Sequence, residues 1–129
     1  MPNLPPAPKR RILVIEDEAA VRSILQRYIS LSGYDAILTE SAEEAMKLLQ
    51  TTTPNLILLD ISLPGGDGLV TLRQLHEKHE TIPVIMLASS PDIPKAHAAL
   101  NYGAGDFIAK PVDLSTLKHT LQVHLPPPR

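Results

Sequence analysis

Two runs, Ile12-Leu13-Val14-Ile15 and Leu56-Ile57-Leu58-Leu59, constrain the fold of this chain more than any other feature. Each is the length of a strand, and neither alternates apolar with polar residues. Successive strand side chains point to opposite faces, so an unbroken aliphatic run needs cover on both sides. That is the situation of a central strand in a parallel sheet sandwiched between helices. Counting the first run as Arg11 to Ile15, further short apolar runs follow at Asp35 to Leu38, Val84 to Leu87 and Phe107 to Ala109.

The segments between these runs are amphipathic. Val21, Ile24, Leu25 and Tyr28 recur at i, i+3, i+4 and i+7, the stripe of a helix lying on a core, with Gly33 as its C-terminal stop. Ser41 followed by Glu44 is a capping box opening a second helix through Ala45, Leu48 and Leu49, which Thr52-Thr53-Pro54-Asn55 breaks. A third helix is predicted from about Leu69 to Lys78, and a fourth from about Lys95 to Tyr102, stopped by Gly103. A fifth starts from an N-cap at Asp113 and buries Leu114, Leu117 and Leu121. Five strands alternating strictly with five helices, joined by right-handed crossovers, make an α/β fold with a doubly wound parallel sheet.

At 129 residues, 43% hydrophobic and 20% charged, the chain suits a single domain with a real core. Seven of the thirteen prolines lie at the two ends, which divides the chain into a Pro-rich tail at 1–9, a folded domain at 10–125 and a Pro-rich tail or linker start at 126–129. The chain is thus expected to be either a stand-alone relay protein or one piece of a longer one. The absence of cysteine excludes a disulfide framework, a thiolate metal site and a Cys nucleophile, and points to the cytoplasm. No apolar run approaches the ~20 residues needed to cross a bilayer, so no membrane association is expected. Twelve Lys and Arg against fourteen Asp and Glu leave no basic excess, which disfavours direct nucleic-acid binding by this domain.

In doubly wound sheets ligands bind beyond the carboxyl ends of the strands. Here the first strand ends in Glu16-Asp17-Glu18, the third in Asp60 and the fifth in Lys110-Pro111. If these ends share one rim, clustered carboxylates repel unless a cation joins them, and an all-oxygen donor set calls for a hard ion such as Mg²⁺. A carboxylate can attack phosphorus to give an acyl phosphate when a metal and an ammonium neutralise the phosphoryl oxygens. Asp60, single and at a strand end, is the candidate nucleophile. Glu16 and Asp17 would hold the metal directly or through water, and Lys110 would pair with a phosphoryl oxygen.

The chain resembles the receiver domain of two-component response regulators over about residues 10 to 125. The resemblance rests on ILVIEDE at 12–18, LILLDISLPGGDG at 56–68, PVIML at 83–87 and GAGDFIAKP at 103–111. It implies the flavodoxin-like (βα)5 receiver fold with strand order 2-1-3-4-5. It makes Asp60 the phosphoacceptor, Glu16 and Asp17 the acidic pair, and Ser62 the residue whose backbone carbonyl joins the Mg²⁺ site. Lys110 matches the family's lysine, with a cis peptide before Pro111, and Phe107 falls at the aromatic switch position. Ser62 and Ser90 match positions that tune acyl phosphate hydrolysis. The implied partners are a sensor histidine kinase or a histidine phosphotransfer protein, and a homodimer through the face formed by the fourth helix, fifth strand and fifth helix. Such a domain is a phosphorylatable switch more than an enzyme, although it assists its own phosphorylation and dephosphorylation.

The chain departs from the family in two places. Ala88 occupies the position of a Thr or Ser whose hydroxyl bonds the phosphoryl group, so coupling to Phe107 and the fourth helix is expected to be weaker. Glu16 stands where Asp is common, one methylene longer. The Ala88 departure also supports an alternative reading as a receiver-like interaction module that works without phosphorylation. An aspartyl-nucleophile phosphatase is disfavoured, because it needs D-x-D after the first strand where this chain has Glu16-Asp17-Glu18. Gly65-Gly66-Asp67-Gly68 lacks the spacing of a phosphate-cradling loop and reads as a tight turn. His76 and His79 stand at i, i+3 without a third ligand and read as a solvated face.

Overall fold

The computed structural model describes residues 8–64 and 68–125. Positions 1–7 of the expected tail at 1–9, the expected tail at 126–129, and positions 65–67 of the expected turn lie outside the described residues. The strands are β1 (Arg11–Ile15), β2 (Asp35–Thr39), β3 (Leu56–Asp60), β4 (Val84–Ala88) and β5 (Asp106–Ala109). The helices are α1 (Ala19–Leu31), α2 (Ala42–Leu48), α3 (Gly68–Lys78), α4 (Ile93–Ala99) and α5 (Leu114–His124). All strand pairs are parallel, in the order β2-β1-β3-β4-β5.

The unbroken aliphatic runs do occupy central strands. Every residue of β3 and β4, and all of β1 but Arg11, is buried, whereas the edge strands β2 and β5 are only partly covered. Alternation splits the core into two layers. Leu13, Ile15, Ile57, Leu59, Val84, Met86 and Ala88 pack with residues of α2, α3 and α4. Ile12, Val14, Leu56, Leu58, Ile85, Leu87 and Ile108 pack with α1 and α5. Burying both faces is what an isolated hairpin cannot do and a doubly wound sheet must do.

The helix starts follow their caps. Ser41 Oγ accepts the Glu44 N–H at 3.1 Å, and an Asp113 carboxylate oxygen accepts the Thr116 N–H at 2.9 Å. Gly33, just past α1, adopts φ +94°, the left-handed geometry that ends a helix. Gly68 opens α3 under tighter constraint, since a Cβ there would lie 2.5 Å from the Ile61 Cα. The fourth helix differs from its predicted span. Helical turns begin with a 3-10 segment at Ser90–Asp92, continue as α4, and close in a second 3-10 segment at Leu100–Tyr102. Pro91 and Pro94 sit in the first turns of these segments, where a missing N–H costs nothing and a fixed φ suits the helix.

Candidate functional site

Parallel strands deliver their carboxyl ends to one rim, and β1, β3 and β5 deliver the predicted residues there. Asp60 is the last residue of β3, in register with Leu87 of β4. Glu16 follows β1 and is completely buried, Asp60 is 3% exposed, and Asp17 faces solvent. One carboxylate oxygen from each of the three lies within 4.8 Å of the others. Lys110, just past β5, brings its Nζ to 2.5 Å from Glu16 Oε1 and 3.4 Å from Asp60 Oδ1. The Lys110-Pro111 peptide is cis, and the Lys110 N–H donates to the Ala88 carbonyl at 2.8 Å.

Backbone bonds aim this cluster. The Glu16 N–H donates to the Thr39 carbonyl at 3.1 Å, and the Ser62 N–H donates to Asp60 Oδ1 at 3.1 Å. Arg22, on α1, donates from one guanidinium nitrogen to the carbonyls of both Glu16 and Asp17, each at 2.8 Å, and pairs with Glu40 at 3.3 Å. Sequence reasoning passed over Arg22. Its signal was a cation in the first turns of a helix, where the macrodipole disfavours positive charge unless a nearby acceptor compensates.

Burial pushes the Glu16 carboxyl up from 4.5 to about 7, with the neighbouring Asp60 charge adding to the rise and Lys110 opposing it. Burial alone would lower the Lys110 ammonium, but its bonds to Glu16 and the charges of Asp60 and Glu16 outweigh this and raise it. Among the described residues the Lys110 ammonium is the one partner of the buried Glu16 Oε1. Three carboxylates against one ammonium, with a buried and incompletely satisfied oxygen among them, fit a hard divalent cation. Among the described residues this is the one such group of three acidic, His or Cys side chains. The His76 and His79 pair gathers no third ligand, and the His76 ring instead lies against Gly103, where a Cβ would meet it at 2.7 Å.

The remaining predicted residues surround the acceptor. Ala88 is completely buried in the layer beneath α4, so its methyl is packed and offers no donor. Phe107 is half-buried on β5 and meets His97 of α4 edge-on, ring centroids 4.8 Å apart. Ser90 is exposed in the 3-10 turn after β4. The Ser62 hydroxyl donates to the Asp92 carboxylate, a contact the sequence reading did not anticipate. Beside the rim, Val21, Ile24, Leu25, Tyr28, Lys110, Pro111 and Val112 line an apolar cleft of about 210 Å³.

A (βα)5 sheet of order 2-1-3-4-5 carrying an acidic cluster and a lysine at its carboxyl rim is the arrangement expected of a receiver-type signalling domain. The match to the family described as Response regulator receiver domain runs over residues 12–122, and the chain belongs to that family. Its members are signalling switches of two-component systems. The chain is 40% identical over 103 residues to a probable transcriptional regulator, ycf27, of Porphyridium aerugineum, covering 80% of this chain and 42% of that protein. It is 35% identical over 101 residues to the DNA-binding transcriptional regulator NtrC of Klebsiella pneumoniae, covering 78% of this chain and 22% of that protein. It thus spans less than half the length of these relatives. The solved receiver domain of NtrX from Brucella abortus superposes with a TM-score of 0.85 at 32% identity, covering 88% of this chain and 97% of that one. Among the described residues no helix is long and apolar enough to cross a membrane.

Proposed function

We propose that this domain accepts a phosphoryl group on Asp60 from a phosphohistidine of a sensor histidine kinase or histidine phosphotransfer protein, with Mg²⁺, in the cytoplasm. The observation that carries this reading is the convergence of Asp60 with Glu16, Asp17 and Lys110 at one rim of the sheet. In the transfer an Asp60 oxygen forms a bond to phosphorus as the donor's P–N bond breaks, and the leaving imidazole takes up a proton.

Glu16, Asp17, Asp60 and the Ser62 carbonyl would hold the ion, which supplies positive charge for the incoming phosphoryl oxygens. Lys110 supplies a second, fixed positive charge. Its position between Glu16 and Asp60 offsets the repulsion between the two carboxylates. The Ser62 N–H fixes the Asp60 carboxylate so that its other oxygen is left for attack. Glu16, buried and costly to ionise without a cation, makes ion binding and ionisation of the site mutually supportive. The added charge then alters the surface of α4, β5 and α5, which serves partner binding or homodimer formation. Binding of nucleic acid is assigned to no residue of this domain.

The test is intact-mass measurement after incubation with acetyl phosphate and Mg²⁺. One phosphoryl group should add to the wild type and none to Asp60→Asn, and chelation with EDTA should abolish the gain. An unmodified wild type, or label persisting in Asp60→Asn, would overturn the proposal and leave the phosphorylation-independent interaction module.

A further inference from the structure

Asp92 closes the 3-10 turn that runs into α4, with φ −97° and ψ 0° rather than the extended backbone from which Ser41 and Asp113 cap α2 and α5. Its carboxylate makes no bond to the N–H groups of α4 and accepts the hydroxyl of Ser62, in the loop after β3. Ser62 in turn donates its backbone N–H to Asp60 Oδ1 at 3.1 Å. A continuous path therefore runs from the acceptor carboxylate through Ser62 to the head of α4. On α4, His97 meets Phe107 edge-on at 4.8 Å.

We propose that Asp92 is a positioning residue that ties the head of α4 to the phosphoacceptor loop through the Ser62 hydroxyl, and that charge arriving on Asp60 releases this tie. The inference rests on Asp60 being the phosphoacceptor. Ser62 has one O–H to donate, and a phosphoryl oxygen beside it competes for that proton with Asp92. The phosphoryl group also raises the negative charge near Asp92, which has no cation paired with it among the described residues. Both effects push in one direction, toward a freed Asp92. The tie matters because α4 has seven residues and its fully buried side chains are the small Ala96 and Ala99. Strand β4 cannot supply the coupling by a hydroxyl, since Ala88 has none and is sealed in the core.

The full chain, labelled with ¹⁵N, is compared with Ser62→Ala, Asp92→Ala and Asp92→Asn, each with and without beryllofluoride and Mg²⁺. Without beryllofluoride, Ser62→Ala and Asp92→Ala should exchange the amides of residues 95–99 roughly tenfold faster than wild type, the effect of losing one charge-assisted hydrogen bond. Asp92→Asn keeps an acceptor and should exchange near the wild-type rate, but its α4 amides should shift less than those of wild type when beryllofluoride is added. Exchange unchanged in both alanine variants, or an Asp92→Asn response equal to wild type, would overturn the tie. Fluorine NMR reports beryllofluoride on Asp60 separately. A wild type that binds none would overturn the phosphoacceptor reading and this inference together, whereas binding with identical α4 behaviour in every variant would overturn this inference alone.

Discussion

Replacing Glu16 with Gln should stabilise the ion-free domain, and the gain should grow with pH. Glu16 is completely buried, and burial moves its titration from 4.5 to about 7. The folded value lies above the unfolded one, so the folded state binds the proton more tightly. The associated stability is fully present below pH 4.5 and is lost as pH rises through about 7. At ~1.4 kcal/mol per pH unit the loss is about 3 kcal/mol. Gln is neutral throughout and nearly isosteric, so the variant escapes this loss. Any difference in packing contributes at every pH and cancels when one pH is compared with another, while the pairing of ionised Glu16 with Lys110 is already contained in the folded value of about 7. The assay is urea unfolding in EDTA followed by far-ultraviolet circular dichroism, because the chain has no tryptophan. With an m-value of about 1.5 kcal/mol per molar, the midpoint difference between variant and wild type should widen by about 2 M between pH 4.5 and 7.5. Saturating Mg²⁺ should then stabilise the wild type more than the variant. A difference that stays flat with pH, or narrows as pH rises, would show that Lys110 holds Glu16 ionised despite its burial and would refute the reasoning.

Two further substitutions test other parts of the structure. Ala88→Thr adds atoms to a fully buried position and should cost about 1–3 kcal/mol, yet its hydroxyl should enlarge the α4 amide shifts caused by beryllofluoride; shifts equal to wild type would remove the argument that the missing hydroxyl weakens coupling. Gly68→Ala places a Cβ 2.5 Å from the Ile61 backbone and should lower stability by about 2 kcal/mol, read as a fall of several degrees in Tm; an unchanged melting curve would mean the loop after β3 yields freely.

Much of the fold was legible because its signals are local. The unbroken runs of β1 and β3 required two covered faces, and the Ser41-Glu44 and Asp113 caps marked helix starts that the structure reproduces. The fourth helix was read late because its early turns lack an apolar stripe and hold two prolines that suit a first turn. Glu16, Asp17, Asp60 and Lys110 could be named because each follows an apolar run. Arg22 and Asp92 could not, since a side chain that bonds a carbonyl or hydroxyl on another element leaves no trace in its own periodicity.

The order of residues along the chain settled which segments are strands and helices, which strands lie at the centre, and which ionisable groups stand at strand ends. Those depend on side-chain spacing and backbone preference over a few residues. Only the folded arrangement decided that Glu16 is buried against Lys110, that three carboxylates share one rim, and that the Ser62 hydroxyl bonds Asp92. Desolvation, Coulomb energy and hydrogen bonding depend on distances in space, and those distances are set by strand order and crossover, which join residues far apart in the chain.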